Sequence, residues 1–153
     1  MVLPASAVNE LILNIQQEIH VEASIETTFD ALLEQLGPKN ENHEGKPMPM
    51  KLEARPGGRW FRDLGNDQGH LWAHVQAIRR PDLLEFSGPL MMSFPAVNNV
   101  QYRLAADKGG TKITFRHSGM GPIPDEFREG MPKGWAHMLE IARRAAEKDA
   151  RAK

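Results

Sequence analysis

Residues 50–117 are cut into six strand-like pieces, at 50–54, 59–63, 70–79, 83–87, 97–104 and 111–117. The cuts are made by Pro56-Gly57-Gly58, Gly65-Asn66-Asp67, Pro81-Asp82, Gly88-Pro89 and the segment 107–110, which is turn chemistry. A parallel crossover takes a dozen or more residues, and these gaps are shorter, so the pieces predict an antiparallel meander. That meander constrains the rest of the fold, because one of its faces must be covered by whatever helices the remaining residues supply.

Ahead of it, Ile15, Gln17, Ile19 and Val21 alternate with Gln16, Glu18 and His20, which predicts a strand with one buried face. Ser24 then reads as a helix N-cap, Phe29, Leu32, Leu33 and Leu36 recur at helical spacing, and Gly37-Pro38 stops the run. Residues 39–49, with Asn40, Asn42, His43, Gly45, Lys46 and Pro47, read as a loop or a poorly ordered flap. After residues 119–124 a second helix follows, with Met131, Trp135, Met138 and Ala142 on one stripe and Lys133, Glu140, Arg144 and Glu147 elsewhere. Pro132 is placed in its first turn, where a missing N–H costs nothing. The result is an α+β chain in which a bent antiparallel sheet wraps a long C-terminal helix, an arrangement that leaves room for a cavity between the two.

Composition narrows the function classes. Of 153 residues 41% are hydrophobic and 13 are glycine, a globular share that can bury a core without disulfides or structural metal. The chain has no cysteine, which removes thiol catalysis, Cys-ligated zinc and iron–sulfur clusters, and fits a reducing, cytoplasmic setting. Residues 1–7 have no basic start and the apolar run 11–13 is too short for a signal sequence or span, so no membrane insertion is expected. With 19 Lys+Arg against 20 Asp+Glu, no field favours polyanions, and nucleic acid is not expected as a partner.

Four motifs in this order resemble a known family: Arg55-Pro56-Gly57-Gly58-Arg59-Trp60; Gly109-Gly110-Thr111-Lys112-Ile113-Thr114; Arg116-His117-Ser118-Gly119; and Gly134-Trp135, read as opening the final helix. The family is the START-like (SRPBCC, Bet v 1-like) superfamily, and within it the group similar to the activator of heat-shock protein 90 ATPase. The resemblance runs from Ile15 to about Ala146. It implies a helix-grip fold, one START-like domain over 1–153 with its core at about 14–147, a lead-in at 1–13 and a frayed tail at 148–153. It also implies a cavity for lipids, polyketides or other small apolar molecules. The chain departs from many relatives at residues 36–49, which are polar and lack Trp. The chaperone activator that names the group carries a further N-terminal domain for which these residues leave no room, so ATPase activation is not expected.

Few residues invite chemistry. His70 and His74 lie four apart on a strand, roughly 13 Å, whereas two ligands must each sit about 2 Å from one metal ion, so they form no metal site. Ile113, Phe115 and His117 share the inward side of the last strand, where His117 is either a hydrogen-bonded histidine at the sheet edge or a polar anchor in an apolar pocket. Gly57-Gly58 reads as a tight turn; the chain has neither G-x-x-x-x-G-K-[ST] nor G-x-G-x-x-G, so a phosphate cradle has little support. Asp125, Glu126 and Glu129 suit a helix start. No catalytic constellation, metal site or cofactor motif is read.

The expected function is binding of a small hydrophobic ligand. The expected lining is Leu33 and Leu36 from the first helix, Leu84, Phe86, Val100, Tyr102, Leu104, Phe115 and His117 from the strands, and Met131, Trp135 and Met138 from the last helix. Met91 and Met92 add deformable surface. Two alternatives stand beside it. One is a cyclase- or hydrolase-like enzyme acting on an apolar substrate in the same cavity, with His117 and Tyr102 as first suspects. The other is a homodimeric or chaperone-associated interaction module that uses the exposed sheet face, Trp72 included, or the sheet edge.

Overall fold

A computed structural model describes residues 9–153; residues 1–8 of the expected lead-in lie outside the described residues. The elements are β1 (Ile12–Val21), α1 (Ile25–Leu36), β2 (Lys51–Leu52), β3 (Arg59–Gly65), β4 (Gln68–Arg79), β5 (Leu83–Gly88), β6 (Val97–Asp107), β7 (Gly110–Met120) and α2 (Asp125–Ala152). All seven strands form one antiparallel sheet in the order β1-β7-β6-β5-β4-β3-β2. The predicted meander is present, and β1 closes it by pairing with the last strand.

Register shifts at Trp60/Phe61, Asp63/Gly65 and Val75/Ala77 put bulges into β3 and β4 and bend the sheet toward the helices. The Arg55–Trp60 motif supplies the turn into β3. Gly57 has φ +77°, and a Cβ on Gly58 would stand 1.8 Å from the Glu53 carbonyl oxygen, so only glycine fits there. The Gly57 and Gly58 N–H groups already donate to the Val75 and Arg55 carbonyls, leaving nothing to cradle a phosphate.

Helix α1 begins and ends as read: the Ser24 side chain accepts from the Thr27 N–H, and the Gly37 N–H closes the last turn on the Glu34 and Leu33 carbonyls. The Trp60 indole N–H reaches the Leu36 carbonyl at 2.7 Å, tying β3 to the end of the helix. Residues 39–49 are a built loop rather than a flap. Asn42 Oδ1 accepts from the Glu44 and Lys46 N–H groups, and Met50 N–H donates to the Gly37 carbonyl.

Three expectations about the last helix are corrected. Pro132 lies inside α2 and not in its first turn, because the helix starts at Asp125; the Arg128 carbonyl thereby loses its intrahelical donor. Gly134-Trp135 accordingly sits mid-helix. The tail is helical to Ala152, and Lys153 Nζ donates to Thr27 Oγ1 at 2.7 Å, because the amphipathic stripe runs on through the buried Ala146. β1 and α2 are stitched together by Arg128 Nη1 to the Ile12 carbonyl, Gln17 Nε2 to the Pro132 carbonyl and the Glu22 N–H to Glu147 Oε2.

Candidate functional site

The inward face of the sheet is packed solid. Leu84, Phe86, Val100, Phe115 and His117 have no accessible surface at all, so neither solvent nor a void wide enough for water touches them. Trp60 stacks on Phe86 with ring centroids 4.7 Å apart and meets Trp72 edge-on at 5.0 Å, while Phe115 lies between Tyr102 and Trp135 at 5.0 and 4.8 Å.

One polar chain runs through this interior. The Trp135 indole N–H donates to His117 Nδ1 at 3.0 Å, His117 Nε2 lies 2.7 Å from Asn98 Oδ1, and Asn98 Nδ2 donates to the Gly88 carbonyl at 3.2 Å. An indole N–H can only donate, so Nδ1 carries no proton and the ring is the neutral tautomer with its proton on Nε2. Burial pushes the His117 pKa down to about 4. In this state both ring nitrogens are engaged, and the imidazole ties β7, α2 and β6 together without offering a free base.

The opening toward solvent lies to one side, between α1, α2 and β6. Its floor is made of the buried Leu32, Leu36, Asn40 and Tyr102, and its rim of the half-buried Gln35, Glu41, Met138 and Ile141. The enclosed volume is about 10 Å³, the size of one water. Burial alone drives the Tyr102 hydroxyl above its ordinary pKa, so it stays a neutral phenol. A second, wider groove of about 490 Å³ lies open along the β2 edge beside Pro38, Met50 and Leu52, with Lys51, Glu53, Arg59 and Phe61 around it. Its charges are already paired, Lys51 with Asp63 and Arg59 with Glu53.

The family model for activator of Hsp90 ATPase homolog 1-like protein matches residues 22–145. The chain belongs to this family. Solved structures of the same fold include the Aha1 dimer from Colwellia psychrerythraea, 19% identical over 88% of this chain and 96% of that one with a TM-score of 0.66. The structure of Ara h 8.0201 is 13% identical over 93% of this chain and 99% of its own, at 0.63. The di-domain ARO/CYC StfQ from the steffimycin biosynthetic pathway is 12% identical over 95% of this chain and 54% of its own, at 0.68. No curated protein sequence matches significantly. Family and fold establish a Bet v 1-like helix-grip domain and are consistent with ligand binding.

Within this family member, the expected lining residues are divided among the pit, the packed interior and its margins. Leu36, Tyr102 and Met138 meet at the pit. Leu84, Phe86, Val100, Phe115, His117, Met131 and Trp135 are the packed interior, Leu104 is buried farther along β6, and Leu33 is half-buried on the flank of α1. On α2 the buried stripe is Met131, Trp135, Leu139, Ala142 and Ala146, so Leu139 takes the core position and Met138 the rim. His117 is not at the sheet edge, since β7 lies between β1 and β6. His74 is exposed on the outer face. Trp72 is buried rather than exposed, because the register shift in β4 turns both Trp72 and Ala73 inward. The sequence reading missed Asn98, Asn40 and Ile141. Asn98 was readable, since it continues the inward alternation of Val100 and Tyr102; Asn40 sits in a loop without periodicity and carries no such signal.

No helix among the described residues is long and apolar enough to cross a membrane.

Proposed function

We propose that the chain binds a small hydrophobic molecule between the sheet and α2, admitted through the pit between α1, α2 and β6. The observation that carries this reading is the pit itself, a buried floor reached past half-buried side chains. At about 10 Å³ it does not hold such a molecule as it stands, so side chains must yield. Met138 is the side chain built to yield: unbranched, polarisable and only half-buried on the rim. The ARO/CYC neighbour, from a biosynthetic pathway, is compatible with small-molecule binding on this fold.

Native mass spectra of freshly purified protein are expected to show an apolar adduct that denaturation releases. Met138→Trp, which fills the mouth with a rigid ring, is expected to cut its occupancy about tenfold with melting temperature little changed. An adduct that ignores this substitution would place the ligand elsewhere.

A second reading, self-association, is supported by a different observation. Val97 is 70% and Met120 54% exposed, and they pair across β6 and β7 on the face turned away from α2, with Ile12 of β1 next in the row. The Aha1 neighbour is described as a dimer. Light scattering at high protein concentration is expected to report a dimer that Val97→Lys dissociates; a monomer in both removes this reading.

A further inference from the structure

Asn40 is 2% exposed, and only one half of its amide is used. Nδ2 donates to the Met48 carbonyl at 3.0 Å, whereas Oδ1 is buried and accepts no hydrogen bond. Turning the amide over would set oxygen against the Met48 carbonyl, acceptor to acceptor, so its orientation is determined by that contact. Buried acceptors are nearly always satisfied, and this one belongs to a residue of the wall of a cavity one water in size, with the neutral Tyr102 phenol in the same wall.

We infer that the pit reads a hydroxyl group: Asn40 Oδ1 accepts the O–H of an alcohol or phenol at the end of an otherwise apolar ligand. The inference rests on the ligand-binding reading above and names the chemistry that reading leaves open. A hydrocarbon or an ether leaves the Asn40 oxygen bare. A carboxylate brings no donor and meets Glu41 on the rim. The hydroxyl therefore has to enter first, with the apolar body following into the space that Met138 vacates.

The same residue couples the ligand to the loop. Met48 N–H donates to the Asn40 carbonyl at 2.8 Å, and Asn40 N–H to the Gly37 carbonyl at 3.1 Å, so Asn40 is bonded to both ends of segment 37–48. A ligand that engages its side chain braces that segment, and amide exchange at Met48 is expected to slow on binding.

The test uses two probes, 2-naphthol and 2-methoxynaphthalene, titrated calorimetrically into the full chain. They share a ring system, and only the first can donate. We expect 2-naphthol to bind about tenfold more tightly or better. Asn40→Leu is expected to remove that preference while leaving 2-methoxynaphthalene affinity within about twofold. Asn40→Leu also loses the bond to Met48, so Asn40→Ser serves as the second variant: it loses the amide donor to Met48 but keeps a neutral hydroxyl oxygen as acceptor, and the preference for 2-naphthol should survive in it. Equal affinities in the unmodified chain, or loss of the preference in both variants, overturns the hydroxyl inference and leaves ligand binding standing. No binding of either probe overturns the ligand-binding reading together with it.

Discussion

Trp135→Ala is expected to lower stability by about 3–5 kcal/mol, the usual cost of removing a large aromatic from a close-packed interior. For a chain of this length that is a fall in melting temperature of roughly 10 °C. The cost has two parts. One is the void left against Phe115, whose ring centroid is 4.8 Å away. The other is the loss of the indole donor to His117 Nδ1, the only one among the described residues, which leaves a fully buried acceptor unpaired. Trp135→Phe separates them, because it keeps most of the ring and loses the N–H; about 1–3 kcal/mol is expected from that change alone. Urea titrations of the three proteins measure both parts. An alanine variant within about 1 kcal/mol of the parent would mean that α2 does not pack on the sheet as described.

Stability is also expected to depend on pH through His117. Its folded pKa of about 4 lies below the ordinary histidine value of 6.5, so the unfolded chain binds the proton more readily than the folded one. The contribution is complete above about pH 6.5, is lost progressively as pH falls from there to about 4, and changes no further below that. Over the whole window the loss is about 3 kcal/mol. Protonation puts a hydrogen on Nδ1, where it meets the Trp135 N–H head-on, so acid opens the same contact that Trp135→Ala deletes. Unfolding free energies at pH 7.5 and 4.5 should differ less in His117→Gln than in the parent. An unchanged difference would assign the acid sensitivity to other groups.

What could be read from the residues alone follows the range of the forces involved. The α1 boundaries were legible because Ser24 and Gly37 cap the helix through bonds three to four residues away. The strands were legible because turn chemistry and alternation are local too. The place of Pro132 was misread, since Asp125 and Glu126 already suit a helix start well ahead of it; a lone proline costs a helix one internal bond, and the buried stripe from Met131 onward outweighs it. For the site, alternation correctly turned Val100, Tyr102, Phe115 and His117 inward, but an inward face can be hollow or filled, and periodicity is the same for both. The partners of His117 depend on register and on the rotation of α2, neither of which has a sequence signature. Asn40 lies in a polar loop whose shape comes from its own side-chain bonds.

The pairing of β1 with β7 bears on how the molecule forms. Its partners, from Val21 with Thr111 to Ile12 with Met120, are about a hundred residues apart in the chain, and α2, which β1 also contacts, comes later still. A contact pattern of such high order makes closure of the sheet a late and slow event. During synthesis β1 and α1 emerge with their apolar sides uncovered and wait for almost all of the remaining chain, the interval in which a helper protein or a ligand held against the unfinished sheet has the most to offer.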